Sequence, residues 1–245
     1  MLSKQKINHA IWAIVPAAGI GKRMQSDIPK QYLPLNGRPV LEHTLNALLK
    51  NKNISGLVIA LQQDDAYFSD IKINSDKPVL RAAGGVERAD SVLNALTTLF
   101  QYDQFNADND WVMVHDAVRA CLKQQDIEAL VSEVAEDKNG GLLALPVRDT
   151  MKRQNVDKAI ACVAKTINRE NLWHALTPQY FHAASLKKAL EKAQLEGMSV
   201  TDESSAMEFA GFSPRLVQGH EDNIKITRPG DLRLASLYLQ LQNSE

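Results

Sequence analysis

Two cysteines are all that 245 residues contain. Cys121 and Cys162 lie far apart and have no metal-like partners at short spacing. This scarcity excludes a disulfide-stapled fold or a cysteine-built metal centre, and it predicts two inert thiols in a reduced compartment. Net charge is also lacking: 28 Lys and Arg face 29 Asp and Glu, for a formal charge of −1. A binder of nucleic acid or membrane surface that works through bulk charge is thereby excluded, so any affinity for phosphate must come from cations clustered locally. No stretch reaches the roughly 18 consecutive apolar residues of a membrane span. The opening Met1 to His9 is polar and has no apolar signal region, which predicts an unprocessed cytoplasmic protein. Linkers, low-complexity tracts and internal repeats are missing too, so residues 1–245 are expected to form one domain. Finally, His43, His174, His182 and His220 lack metal-ligand spacing, and no Ser-His-Asp set or catalytic cysteine can be assembled, which leaves covalent catalysis without a nucleophile.

What is present alternates. Ile11–Val15, Leu57–Leu61, Val79–Ala82, Trp111–His115 and Leu142–Val147 are short apolar runs rich in β-branched residues, the pattern of buried strands. Between them, Pro39–Leu49 puts Val40, Leu41, Thr44, Leu45, Leu48 and Leu49 on one helical face. Glu87–Phe100 does the same with Val92, Leu93, Leu96, Leu99 and Phe100, and Asp126–Ala135 follows suit. Strands alternating with helices predict an α/β fold, a Rossmann-like mostly parallel sheet covered on both faces, with ligands at the C-terminal ends of the strands. Residues 148–169 break the pattern: a polar run, a possible turn at Val156-Asp157-Lys158 and a second apolar run at Ala159–Val163 predict a two-stranded excursion. A lone hairpin is marginally stable in water, so it should pack against something.

The first strand runs directly into Pro16-Ala17-Ala18-Gly19-Ile20-Gly21-Lys22-Arg23-Met24. Glycine and alanine leave backbone N–H groups open to a phosphate, and Arg23 adds a planar fork of donors. Pro29-Lys30-Gln31-Tyr32 supplies a second cation behind a rigid proline. This is neither a Walker A loop, which needs Ser or Thr after its lysine, nor a dinucleotide fingerprint, whose third glycine is replaced by Met24. An ordinary glycine-bearing turn with solvated cations would look the same locally. Its position at a strand's C-terminal end, shared with Gly84-Gly85 and Asp116, is what marks it as a site.

Val15 to Met24 with Pro29-Lys30-Gln31-Tyr32 resembles the Rossmann-like nucleotidyltransferases, and within them the 2-C-methyl-D-erythritol 4-phosphate cytidylyltransferase family. The resemblance continues in order through Gly84–Val92, Val114–Arg119, Pro146–Lys152, Asn168–Trp173, Thr201-Asp202-Glu203 and Asn223–Thr227. It implies transfer of a cytidylyl group from CTP to an alditol phosphate: 2-C-methyl-D-erythritol 4-phosphate, or another such as ribitol 5-phosphate. A non-catalytic nucleotide binder is the reading from a different class. The resemblance also implies a homodimer in which the arm at about 148–169 completes the partner's site.

Arg23 and Lys30 are the candidates for transition-state charge, because attack on an α-phosphorus spreads negative charge over oxygens that preset cations stabilise. By resemblance, Pro16, Ala17, Ala18, Gly19 and Gly21 cradle CTP, Gly85 and Ser91 recognise the base, and Asp116 and Ala117 join them. Val86 departs from some relatives that carry an acid, so a contact there either comes from the main chain or is missing. A carboxylate such as Asp116, at a strand end, suits a Mg²⁺ carried by phosphates, although a helix cap or turn would also explain it. His115 is expected to pack or support rather than act as a base. Arg119 could bind the second substrate's phosphate, but Ala120 replaces the family's proline and predicts a looser loop. Thr150, Arg169, Thr201 and Lys225 match the family's sugar-phosphate contacts. For Thr201, an N-cap at Thr201-Asp202-Glu203 is an equally good reading, and for Lys225, so is alternation in an edge strand. Leu172 and Trp173 are expected in core or interface.

Overall fold

The computed structural model describes residues 9–19, 24, 28–135, 137–242 and 244. The chain runs β1 (Ile11–Pro16), β2 (Pro34–Leu35), β3 (Arg38–Pro39), α1 (Val40–Lys50), β4 (Ile54–Leu61), β5 (Val79–Ala83), α2 (Arg88–Phe100), β6 (Trp111–Val114) and α3 (Gln124–Val134). It continues through β7 (Gly141–Pro146), β8 (Met151–Asn155), β9 (Cys162–Ile167), β10 (Trp173–His182), α4 (Ala183–Leu195), α5 (Glu203–Phe209), β11 (Arg215–Gln218) and α6 (Pro229–Gln242).

Seven strands form the central sheet in the order β11-β7-β10-β6-β1-β4-β5. The β1–β4, β1–β6, β4–β5 and β7–β11 pairs are parallel, and only β10 runs against its neighbours β6 and β7. The expected α/β fold with a mostly parallel sheet is therefore present. The pleat of β1 divides the core. Ile11, Ala13 and Val15 pack on one face with Leu41, Leu45 and Leu48 of α1 and Ile127 and Leu130 of α3. Trp12 and Ile14 pack on the other with Val92, Leu96 and Leu99 of α2, Leu186 and Leu190 of α4 and Met207 of α5. Successive side chains of a strand point to opposite faces, and each fully buried aliphatic is worth about 1.5–3 kcal/mol, so a one-residue slip of β1 would be very costly. A third cluster joins Leu33, Leu35 and Val40 to Val118, Cys121, Ile226 and Ala235 of α6.

The helices start where local chemistry permits. Pro39 caps α1 from outside the helix with ψ 144, one residue earlier than a first helical turn would put it. Glu87 and Asp90 exchange backbone contacts in a capping box that opens α2. Asp202, not Thr201, is the N-cap of α5: it accepts from the Ser205 amide and forms a capping box with that residue. β8 and β9 form a separate antiparallel hairpin, pairing Met151 with Ile167 and Lys152 with Thr166. This is the excursion expected at 148–169. Its Val156, Ile160 and Val163 are exposed, so among the described residues nothing covers these side chains. Residues 223–227 are irregular chain, which corrects the edge-strand reading of Lys225.

Candidate active site

The loops following β1, β5 and β6 converge at one edge of the sheet. The chain leaving β1 is held by Ala17, whose amide donates to Ala60 O at 2.8 Å. The carbonyl oxygens of Ala17 and Ala18 are captured by the side-chain amides of Gln31 at 2.6 Å and Gln62 at 2.9 Å. Beside it, the Gly84 amide donates to Leu61 O at 2.6 Å. A Cβ on Gly84 would lie 2.2 Å from the Ala18 Cβ, and one on Gly85 would lie 2.1 Å from the Asp90 Cβ. Glycine at 84 lets the two loops meet this closely, and glycine at 85 lets the turn close onto the start of α2. Ser91 is buried and its hydroxyl is spent on the turn, accepting from the Gly85 amide at 2.9 Å and donating to Glu87 O at 3.2 Å.

Between these loops lies an open cleft of about 180 Å³. Its wall contains Pro16, Ala17, Ala18, Gly19, Lys30, Gly85, Ser91, Asp116, Ala117 and Lys225, all sequence candidates, together with Val86 and Arg88. Gly21 and Arg23 lie outside the described residues. Val86 is fully exposed. Thr150, Arg169 and Thr201 are exposed and are not on this wall; the first two stand beside the arm.

Asp116 is the electrostatic centre. Its Oδ1 accepts from Arg88 Nε at 3.1 Å, and its Oδ2 meets Arg119 Nε at 3.1 Å and Lys225 Nζ at 3.0 Å. Burial would raise this carboxyl, yet Arg88, Lys225 and Arg119 together hold it well below the usual carboxylate range. Arg119 is buried and donates a second bond to Asn223 O at 2.7 Å. Its guanidinium therefore faces Asp116 and the 219–227 segment instead of the cleft wall, and it fixes Asp116. The loop carrying it is not loosened by Ala120, which is buried, while Ile226 N donates to Val118 O at 3.0 Å.

Behind Asp116 runs a chain of hydrogen bonds. The Asp116 amide donates to Thr177 Oγ1 at 3.1 Å, and that hydroxyl meets His115 Nδ1 at 3.0 Å. His115 Nε2 meets the Arg119 carbonyl at 3.1 Å. A carbonyl only accepts, so Nε2 carries the proton and Nδ1 accepts from Thr177. His115 is completely buried, which pushes its imidazole down to about 4, and a neutral imidazole is what both contacts require. Asn223 closes the network by donating to Thr177 O at 2.8 Å.

Arg88 is the site residue that the sequence reading missed. The only local hint was an arginine two residues after Gly85-Val86, at the start of an amphipathic helix, and many helices start that way. Its role rests on a distant partner: Glu203 Oε1 and Oε2 take Nη1 and Nη2 at 2.6 and 3.0 Å. Among the described residues no group of three His, Cys, Asp or Glu side chains comes together to hold a metal. A carboxylate offers about four lone-pair sites, and three at Asp116 are taken. No helix among the described residues is long and apolar enough to cross a membrane.

The sequence profile of the 2-C-methyl-D-erythritol 4-phosphate cytidylyltransferase family matches residues 11–241. A protein of that name from Vibrio vulnificus strain YJ016 is 51% identical over 227 residues, 93% of this chain and 93% of its own. One from Pseudomonas entomophila strain L48 is 50% identical over 223 residues, 91% of this chain and 93% of its own. The crystal structure of the Francisella tularensis 2-C-methyl-D-erythritol 4-phosphate cytidylyltransferase is 35% identical, with a TM-score of 0.79 over 94% of this chain and 99% of that one. A 4-diphosphocytidyl-2C-methyl-D-erythritol synthase structure is 31% identical, with a TM-score of 0.80 over the same shares of the two chains.

Proposed function

The chain belongs to the 2-C-methyl-D-erythritol 4-phosphate cytidylyltransferase family, and from that premise we propose how its cleft performs the transfer. The enzyme joins CTP and 2-C-methyl-D-erythritol 4-phosphate to give 4-diphosphocytidyl-2-C-methyl-D-erythritol and pyrophosphate, a step of the non-mevalonate isoprenoid pathway. A phosphate oxygen of the alditol attacks the α-phosphorus in line with the departing pyrophosphate. That oxygen is already ionised at neutral pH, so no general base is needed and the work falls to cations and to positioning.

The observation that carries this reading is the cleft wall, where Lys30 and Lys225 face one space with the glycine-bearing loop of Pro16–Gly19 and with Asp116. The loop backbone receives the triphosphate, Gln31 and Gln62 having turned two of its carbonyl groups aside. Lys30 and Arg23 take up the charge that develops on the phosphoryl oxygens. Gly85 presents main chain to the cytosine, and Ser91 keeps that turn in shape. Lys225 is the most exposed of the three cations on Asp116. It moves from the carboxylate to the incoming phosphates while Arg88 and Arg119 stay behind. Thr150, Arg169 and Thr201 hold the alditol phosphate, the first two delivered by the arm of the other subunit in a cytoplasmic homodimer.

Mg²⁺ fits this wall in one way. Bound chiefly by the triphosphate and by water, it needs one or two carboxylate contacts from the protein, and Asp116 has one lone-pair site left. The ion would neutralise triphosphate charge there.

Pyrophosphate release from CTP with Mg²⁺ tests the reading, offering methylerythritol phosphate and ribitol 5-phosphate in parallel. Release with the first alone is expected. Release with ribitol phosphate would move the substrate, and silence with both despite CTP binding would refute the transfer.

A further inference from the structure

Glu203 is a buried carboxylate, 1% exposed, at the first position of α5. The helix does not need it there, because Asp202 already caps the first turn with Ser205 and is itself gripped by Gln179 at 2.8 Å. The hydrophobic core offers it nothing. Its burial is accounted for by Arg88, whose two terminal nitrogens it binds as a fork, at 2.6 and 3.0 Å. The same guanidinium reaches Asp116 through Nε at 3.1 Å. One side chain therefore ties three places that are remote in sequence: the start of α2 behind Gly85, the residue after β6, and the segment Thr201–Glu203 that opens α5.

We propose that Glu203 is a positioning residue for the reaction, acting through Arg88 to fix the Thr201–Glu203 segment against the nucleotide wall. This rests on the proposed function, which puts the alditol phosphate at Thr201. A bidentate guanidinium–carboxylate pair sets direction as well as distance. The backbone leading from Thr201 is therefore held in register with Asp116, and through Asp116 with Lys225. The pair also balances charge. In the ion cluster around Asp116, Arg88, Arg119 and Lys225 bring three positive charges against two on Asp116 and Glu203, which leaves that cluster with a net charge of +1. Neutralising Glu203 leaves the wall more positive. It should not weaken capture of a triphosphate, whereas it releases the segment that orients the attacking substrate.

The test is Glu203→Gln, which keeps shape and one acceptor but removes the charge. The expected result is a split. The dissociation constant for CTP, measured by titration calorimetry, stays within about threefold of the parent or tightens. The KM for methylerythritol phosphate rises at least tenfold, and kcat falls at least tenfold. Glu203→Asp, a shorter acid, should recover part of both losses. If Glu203→Gln does not fold, Glu203→Asp carries the test, with the same split in smaller size. Equal weakening of both ligands, or parent-like constants for both, would overturn the positioning role. Failure of the underlying reading would show differently, as absence of turnover in the unaltered enzyme.

Discussion

His115 gives stability a pH dependence whose sign and size follow from its surroundings. The imidazole is completely buried and is held near 4, against an ordinary value of 6.5. In the folded protein it stays neutral, because Nδ1 must accept from Thr177 and burial disfavours charge. In the unfolded chain it binds a proton below about 6.5. Between those values the unfolded state holds the extra proton, so stability rises with pH across that interval. The contribution is fully present above 6.5 and is lost as pH falls toward 4, below which both states are protonated and the slope ends. At 1.36 kcal/mol per unit, the interval is worth about 3 kcal/mol, or roughly 6–12 °C in Tm for a chain this long. Thermal unfolding followed by circular dichroism at pH 7, 6, 5 and 4.5 measures it. The decisive control is His115→Gln, whose amide can donate to the Arg119 carbonyl and accept from Thr177 without titrating. Subtracting the variant's curve from the parent's removes the other five histidines. A difference that is flat across the interval would refute the reasoning, and so would one that grows as pH rises.

Asp116→Asn should cost about 3–5 kcal/mol in denaturant unfolding, since removing one member of a buried ion cluster strands its partners; a loss below 1 kcal/mol would mean that solvent already compensates Arg88 and Arg119. Lys225→Met should leave Tm within a few degrees, because the side chain is 38% exposed, while kcat falls by roughly 10²–10³, the usual size for one charge-stabilising donor; a large loss of Tm with intact turnover would reverse its assignment. Gly85→Ala brings a Cβ to 2.1 Å from the Asp90 Cβ and 2.9 Å from the Asp90 carbonyl carbon, which must spring the turn, so CTP affinity should fall at least tenfold in calorimetry. Joint replacement of Val156, Ile160 and Val163 by serine removes apolar surface that is 86%, 78% and 61% exposed; if the proposed homodimer forms through the arm, sedimentation should show it weakened with the stability of the single chain unchanged, and an undiminished dimer would exclude the arm as its contact.

Sequence reading reached the parts of the molecule that depend on local pattern. The runs at β1, β4, β6 and β7 are apolar because those strands are covered on both faces, the shorter run at the edge strand β5 is only partly buried and carries the exposed Arg81, and α1, α2 and α3 show their buried stripe openly. β10 escaped it. Trp173-His174-Ala175-Leu176-Thr177-Pro178-Gln179-Tyr180-Phe181-His182 contains a proline, a glutamine and two histidines, a composition that argues against a central strand. Those polar residues have posts in the fold: Thr177 serves Asp116 and His115, and Gln179 anchors both Asp202 and Ser204. The strand looks unlike a strand because its side chains support the site. The same reasoning separates the cleft residues that could be read from those that could not. Pro16–Gly19 and Lys30 sit in a compact motif, whereas Arg88 acquires meaning from Asp116 and Glu203, 28 and 115 positions away. For Arg119, expected at the second substrate's phosphate, the motif shows residue type and spacing but not its bonds to Asp116 and the Asn223 carbonyl, because it carries nothing of the direction in which a side chain turns.

The arrangement around Asp116 also explains how a cleft can be cationic before its ligand arrives. Three like charges close together repel by several kcal/mol per pair at an effective dielectric near 20, and without an acid among them they would drift into solvent. Asp116 removes most of that repulsion while leaving the cations in place. Its backbone is fixed from behind, by the Thr177 hydroxyl that accepts from its amide and by a neutral histidine that accepts from that hydroxyl. The three cations are not equivalent. Arg119 is 8% exposed and Arg88 26%, and each has a second partner in Asn223 O or Glu203; Lys225 is 38% exposed. In the mechanism proposed above, an incoming triphosphate draws off the most exposed cation and leaves the two anchored ones to stabilise the acid, so that a single carboxylate would keep the empty site assembled and still release one charge to the reaction.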